Sequence, residues 1–177
     1  MRRKFAAFAR DECSSAILSR SYRALTAYEI LVELTSGNMV DLTLITSGLT
    51  GTAQLLVGPE HTAPFVGSGR IAVLATPVMI NVIEAAALNA VEHLLPAGHQ
   101  SLGIHLDVSH VAATPVGLRA TATATVLRVE GRTITFSVEA RDEVETIGSG
   151  IHQRVVVSVV RFDERLQRKV RDSILSG

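Results

Sequence analysis

The chain has 177 residues, of which 47% are apolar and 19% are charged, and its formal net charge is +0. This length predicts one domain with an ample core, and the balanced charge provides no overall field that would attract nucleic acid or an anionic membrane surface. The single cysteine, Cys13, excludes an intrachain disulfide and is typical of a reducing, cytoplasmic compartment, and the histidines show no HExxH-type spacing that would predict a metal site.

Residues 1–46 are predicted to be an N-terminal extension. Apolar residues at helical spacing indicate one or two amphipathic helices before residue 35, and residues 35–51, which are rich in Thr, Ser and Gly, indicate a linker or a loose strand. An ordered helical appendage and a poorly ordered extension are the two alternatives, and neither suggests a function.

A strand and a loop precede the most apolar stretch of the chain. Residues 50–57 have a strand-like pattern that ends at Gly58-Pro59, and residues 61–70 contain Pro64, Gly67 and Gly69. We expect residues 61–70 to form a flap in front of a helix.

Residues 76–95, TPVMINVIEAAALNAVEHLL, are predicted to form that helix. Thr76 suits the N-cap, and Pro77 suits the first helical position. Apolar residues cover well over half of the helix surface, so other structure should wrap around it. The interspersed polar side chains argue against a membrane span, although about 20 residues would be long enough for one.

Glu84 lies in the middle of this helix, between apolar neighbours. A buried carboxylate needs a partner or a chemical role. The alternative is a surface carboxylate on a narrow polar stripe with Asn81 and Asn89.

The rest of the chain is predicted to be strands, because alternating apolar residues and turn residues follow the helix stop at Pro96-Ala97-Gly98. A helix followed by antiparallel strands is an α+β arrangement in which the sheet curls around the helix. The strands are expected at residues 102–112, 118–130, 133–140 and 146–162. The charged residues after Asp163 are expected to fray, and residues 170–177 to form a C-terminal tail.

Three further side chains are candidates for chemistry. Thr76 offers a hydroxyl beside free helix N-terminal N–H groups, a place for an oxyanion or a carboxylate, unless it is a simple N-cap. His110 ends a strand, where it is either a functional group or an exposed histidine. Arg154 lies in a mainly apolar strand and requires an anion from a neighbour or a ligand.

Several motifs together carry a family resemblance: the strand ending in HVAATPVG from His110, the VEGR turn, and the segment IGSGIHQR that ends at Arg154. With these motifs in this order, the chain resembles the hotdog-fold thioesterases, and most closely the fluoroacetyl-CoA thioesterase-like group. The similarity covers about residues 49–169, so we expect a hotdog domain at residues 47–169, in which a curled antiparallel sheet wraps a long central helix.

The resemblance implies hydrolysis of a short-chain acyl-CoA thioester without a cofactor. It implies catalytic roles for Thr76, Glu84 and His110, a position near the acyl group for Gly103, and an active-site position for Arg154. Glu84 would attack the carbonyl or activate water, His110 would act as base or leaving-group acid, and amides at the helix N-terminus would hold the oxyanion. A homodimer or dimer of dimers is implied, with Glu84 and His110 meeting between subunits.

The segment before the helix departs from the family pattern. Fluoroacetyl-CoA-specific members are expected to carry an aromatic-rich lid there, whereas HTAPFVGSGRIAVLA has Phe65 as its one aromatic residue. We therefore expect Phe65 to contact substrate and the enzyme to act on short-chain acyl-CoAs in general.

Two other functions are kept as alternatives. A hotdog hydratase or dehydratase would carry an Asp and a His with a nearby asparagine, for which Asn81 alone is poor support. A non-catalytic acyl-CoA-binding hotdog protein would not need Thr76, Glu84 and His110 together.

Overall fold

The structure is a computed structural model that describes residues 40–175. The predicted N-terminal helices lie outside the described residues. Within residues 40–175 the chain forms the strands β1 (Thr50–Leu56), β2 (His99–His110), β3 (Arg119–Glu130), β4 (Thr133–Arg141) and β5 (Thr146–Ser158). Its α-helices are α1 (Ala63–Val66), α2 (Thr76–Val91) and α3 (Val159–Leu175), with single-turn 3-10 helices at Pro59–His61 and Glu92–Leu94.

All five strands form one antiparallel sheet in the order β1-β3-β4-β5-β2. The strands β3, β4 and β5 follow one another through tight turns, as the sequence predicts. The strand β2 pairs with β5, with Leu102 opposite Val155, so β1 and β2 are the two edges of the sheet. This matches the predicted arrangement of a long helix and an antiparallel sheet.

The helix α2 packs its apolar side chains against the sheet, mainly on β1 and β3. The strand β3 alternates threonine with alanine, and its alanines face the helix because they are the buried positions of the strand. Small side chains there let the helix approach closely. Burying each larger apolar side chain contributes roughly 1.5–3 kcal/mol. The buried residues of α2 are Met79, Val82, Ile83, Ala86, Ala87, Ala90 and Val91.

The start of α2 differs from the prediction. Ala75 occupies the N-cap position and makes no side-chain capping hydrogen bond, whereas Thr76 is the first helical residue and Pro77 the second. The expectation that Thr76 caps the helix is therefore wrong. Its hydroxyl is free for another partner.

Both ends of the described chain also differ from expectation. The last strand ends at Ser158, and residues 159–175 form the helix α3 instead of a longer strand and a frayed tail. At the other end, Leu42 and Ile45, which the sequence analysis assigned to the extension, are buried in the core. No helix within residues 40–175 is both long and apolar enough to cross a membrane.

Gly51 marks the closest approach of α2 to the edge strand β1. A Cβ at this position would lie 2.8 Å from Cα of Ala90 and even closer to the carbonyl oxygen of Ala86. Asn89 donates a side-chain hydrogen bond to the carbonyl oxygen of Thr52 at 2.8 Å on the same strand. The helix backbone thus rests directly on the β1 backbone.

We expect Gly51→Ala to lower the free energy of unfolding by about 1–3 kcal/mol or more, because the added methyl group overlaps helix backbone that has no side chain to move. Urea unfolding followed by circular dichroism measures the change. The control is Thr52→Ala on the exposed face of the same strand, for which a loss below about 1 kcal/mol is expected. Equal losses in the two variants would contradict the close contact.

Candidate active site

The start of α2 and the end of β2 bring two predicted site residues together. Oγ1 of Thr76 lies 2.8 Å from Nδ1 of His110, although 34 residues separate them in the chain. Thr76 is exposed, whereas His110 is half-buried. The pair therefore joins a solvent-exposed hydroxyl to a half-buried imidazole.

Burial favours the neutral form of the His110 imidazole. Desolvation lowers the pKa of His110, against a smaller opposing effect of the backbone at Ala112. A neutral ring can accept the Thr76 hydroxyl proton at Nδ1, which leaves the ring N–H on Nε2. Within the described residues, Nε2 is buried and has no hydrogen-bond partner. In this tautomer Nε2 is a donor without a partner among residues 40–175.

A buried carboxylate fixes the surroundings of the Thr76–His110 pair. Oδ2 of Asp142, in the β4–β5 turn, accepts a hydrogen bond from the Thr114 hydroxyl at 3.1 Å, and the carbonyl of Thr114 accepts one from the amide of Leu74 at 2.8 Å. Burial alone would raise the pKa of Asp142, but hydrogen bonds from backbone N–H groups and Thr114 bring it below its ordinary value. The turn thus connects the segment after His110 to the segment before Thr76.

Glu84 belongs to a second group of side chains. It lies eight residues after Thr76 on α2, a rise of roughly 12 Å along the helix axis. Its side chain is 36% exposed, and Oε1 lies 3.9 Å from Nη1 of Arg154. A Cβ at position 103 on β2 would collide with the same carboxylate oxygen. Glycine at position 103 therefore makes room for Glu84.

Arg154 is the buried charge of this group, with only 4% of its surface exposed. Its Nε donates to Oγ of Ser101 at 2.9 Å, and its Nη2 donates to the carbonyl oxygen of Ser101 at 2.8 Å. Burial lowers the pKa of Arg154, and the negative charges of Glu84 and Glu92 oppose that shift. The anion that the sequence analysis required for Arg154 is thus supplied by two carboxylates.

His152 is fully buried beside the guanidinium and stacks on Phe136. Its Nδ1 lies 3.0 Å from the carbonyl oxygen of His105, and its Nε2 lies 3.4 Å from Nη1 of Arg154. Burial lowers the pKa of His152, and the charge of Arg154 lowers it further. A neutral ring that donates from Nδ1 and accepts at Nε2 satisfies both contacts.

The structure thus brings the predicted residues into two groups and leaves one apart. Thr76 contacts His110, and Glu84 contacts both Gly103 and Arg154. On β2, seven residues separate Gly103 from His110, which is roughly 23 Å of strand. Phe65 lies outside these two groups, on α1, with 71% of its surface exposed.

The start of α2 offers less to an oxyanion than the sequence analysis implied. The amides of Val78 and Met79 both bind the carbonyl of Ala75, and Pro77 has no N–H, so the helix N-terminus offers few free donors to an oxyanion. A groove of about 290 Å³ lies between β1 and α2, and Thr76, Glu84 and His110 are not among the residues that line it. Residues 40–175 contain no group of three or more His, Cys, Asp or Glu side chains that could hold a metal ion.

Sequence reasoning missed Ser101, Glu92 and His152 as neighbours of Arg154. The signal for His152 was present, because a residue two positions from Arg154 on a strand shares its face. Glu92 and Ser101 gave no comparable signal, since their contact depends on the turn between α2 and β2.

Comparisons with known proteins agree on one family. The family described as FlK, fluoroacetyl-CoA-specific thioesterase, matches residues 57–160. A fluoroacetyl-CoA thioesterase from Streptantibioticus cattleyicolor is 41% identical over 97 residues, which are 55% of this chain and 70% of that protein.

Solved structures are similar to more than two thirds of the chain. A structure of the fluoroacetyl-CoA thioesterase FlK has a TM-score of 0.67 at 34% identity and covers 71% of this chain and 97% of its own. A thioesterase superfamily member from Thermus thermophilus has a TM-score of 0.68 at 26% identity, covering 75% and 98%. A hot-dog-like protein from Thermanaerovibrio acidaminovorans has a TM-score of 0.67 at 26% identity, covering 72% and 94%. The predicted hotdog fold is confirmed.

We expect acidification from about pH 7 to about pH 5 to lower the free energy of unfolding through His152. In the unfolded chain the pKa of histidine is about 6.5, and in the folded chain the pKa of His152 is lower. The unfolded chain therefore binds the proton first, and stability is lost as the pH falls through about 6.5. Protonation would also place an N–H of His152 against Arg154.

Urea unfolding of the wild type and of His152→Gln at both pH values measures this effect. The variant has no titrating group between Arg154, the His105 carbonyl and the Phe136 ring, so its stability should depend less steeply on pH. The same slope in both proteins would rule out His152 as a source of acid sensitivity.

Proposed function

The chain belongs to the family of fluoroacetyl-CoA-specific thioesterases, and on that premise we propose that it hydrolyses a short-chain acyl-CoA thioester to the free acid and CoA. The observation that carries the proposal is the position of Glu84. It is a partly exposed carboxylate, the one charged side chain of α2, and it faces a buried guanidinium across 3.9 Å. A carboxylate held in this way, next to a glycine that leaves space, suits attack on a carbonyl.

The proposed reaction forms a carbon–oxygen bond and breaks the carbon–sulfur bond of the thioester. Glu84 either attacks the carbonyl carbon to give an acyl-enzyme, which water then hydrolyses, or removes a proton from an attacking water molecule. The N–H on Nε2 of His110 donates a hydrogen bond to the sulfur of the departing CoA, which leaves as the thiolate. Thr76, whose hydroxyl lies 2.8 Å from Nδ1 of His110, orients this ring.

Glu84 and His110 are too far apart in one chain to act on the same carbonyl, so we propose that a dimer completes the site. The strand β2 is an edge of the sheet, and its side chains Ile104 and Leu106 are exposed. An antiparallel pairing of β2 with a second copy, with the two-fold axis between Leu106 and Asp107, sets Gly103 opposite the partner subunit's His110. Glu84, which contacts Gly103, then meets the partner's Thr76–His110 pair.

The acyl group is proposed to be short but not restricted to fluoroacetyl. The segment before α2 has Phe65 as its one aromatic residue, and this side chain is 71% exposed. We propose that Phe65 contacts substrate only when the dimer or the bound CoA covers it. We also assign the enzyme to the cytoplasm, for which the single Cys13 is the support.

We expect the wild type to release thiol from acetyl-, fluoroacetyl-, propionyl- or butyryl-CoA, as measured with a thiol reagent. Glu84→Gln and His110→Ala should each lower kcat by about 10²- to 10⁴-fold, because each removes a group that acts on the transition state. Glu139→Gln, an exposed carboxylate on β4, is the matched control and should keep the wild-type rate. Wild-type rates in Glu84→Gln would remove the assignment.

Mixed dimers test where the site is completed. A dimer of one Glu84→Gln chain and one His110→Ala chain, purified through two different tags, should regain about half of the wild-type activity, since one of its two sites is intact. The matched control places both substitutions on one chain opposite a wild-type chain, which damages both sites and should be inactive. The reverse pattern would show that each chain holds its own complete site.

A further inference from the structure

The guanidinium of Arg154 lies closer to Ser101 than to Glu84. Nε and Nη2 donate to the hydroxyl and the carbonyl oxygen of Ser101 at 2.9 and 2.8 Å. Nη1 instead lies 3.4 Å from Nε2 of His152 and 3.9 Å from Oε1 of Glu84. The contact with Glu84 is therefore longer than a hydrogen bond, while the contacts with Ser101 have normal hydrogen-bond lengths.

Glu92 orients the Ser101 hydroxyl. The hydroxyl donates its one proton to Oε2 of Glu92 at 2.7 Å, and the Ser101 amide donates to Oε1 at 3.2 Å. The hydroxyl oxygen must then present a lone pair to Nε of Arg154. Glu92 begins the 3-10 turn that follows α2, so one continuous helical segment supplies both Glu84 and Glu92 to the same arginine.

An arginine without these anchors would pair differently. Guanidinium and carboxylate groups favour a bidentate arrangement with two short parallel hydrogen bonds. That arrangement would occupy both oxygens of Glu84, and either oxygen is needed for attack or for removal of a proton from water. The contacts with Ser101 oppose it, because they occupy the Nε and Nη2 edge of the guanidinium, and His152 shares the remaining nitrogen, Nη1.

We propose that Ser101 and Glu92 are positioning residues that hold Arg154 back from Glu84. Glu84 then receives a compensating charge while both of its oxygens stay available to substrate. The inference rests on the proposed function of Glu84 and adds two residues that touch neither substrate nor the reacting atoms.

A double-mutant cycle on turnover tests the proposal. Ser101→Ala frees Nε of Arg154, so kcat should fall about 10- to 100-fold while KM changes less than about twofold. Lysine cannot form a bidentate pair, so in an Arg154→Lys background the same serine substitution should lower kcat by less than about threefold. Equal losses in both backgrounds would overturn the proposal, since they would mean that Ser101 does not act through Arg154.

Glu92→Gln tests the next contact and keeps the Ser101 hydroxyl in place. It removes one of the two negative charges beside Arg154, so kcat should fall about 5- to 20-fold at unchanged KM. Glu139→Gln is again the matched control. Wild-type kcat in Glu92→Gln would overturn the role of Glu92.

A crystal structure of Ser101→Ala gives a result that does not depend on turnover. Nη2 keeps its contact with the backbone carbonyl at position 101, but Nε loses its anchor, so Nη1 of Arg154 should move from 3.9 Å to within about 3 Å of Glu84; an unchanged separation of Arg154 and Glu84 would overturn the proposal. Glu84→Gln assayed in parallel separates the two hypotheses. An active Glu84→Gln removes the proposed function, whereas an inactive one beside an additive cycle removes only the anchoring by Ser101.

Discussion

The close approach of α2 to both edge strands is the constraint on which the remaining structure depends. At β1, Gly51 lets the strand backbone rest on the helix backbone, and at β2, Gly103 leaves room for the carboxylate of Glu84. In between, the buried positions of β3 include its alanines, whose small side chains face the helix. With larger side chains at these positions, the helix would lie further from the sheet. Glu84 would then face solvent, and Arg154 would lose one of its two counter-charges.

Much of the fold follows from periodicity, because α2 and the strands β3, β4 and β5 each bury a regular face. The alternation in β3 and the apolar surface of α2 are local patterns, and both predictions agree with the structure. The error at Val159 has a local cause too, since the apolar run of β5 continues into the first turn of α3. The error at Thr76, in contrast, arises from a contact that is distant in the sequence. Its partner, His110, ends a distant strand, so the capping rules that apply to the helix start carried no information about it.

The candidate site was less accessible to sequence reasoning than the fold. Glu84 and Arg154 stood out because each is a charge among apolar neighbours, and burying a charge requires compensation. The identity of the compensating groups depends on tertiary contacts. Ser101 and Glu92 have no unusual neighbours in the sequence, yet Ser101 accepts two hydrogen bonds from the guanidinium and is itself held by Glu92, whereas Glu84 lies 3.9 Å away. The division of the site into two groups likewise required the length of β2 and the rise of α2.

Because of the hydrogen bonds of Asp142, part of the site is ordered when a single chain folds. Through Thr114, this carboxylate connects the β4–β5 turn to the segments on either side of the Thr76–His110 pair. The conformational entropy lost in aligning that pair is therefore part of the folding of one chain. In the proposed dimer, bringing Glu84 to the pair is part of subunit association. Substrate binding then has to order only the acyl group and CoA, which is the condition under which preorganised polar groups lower a reaction barrier most effectively.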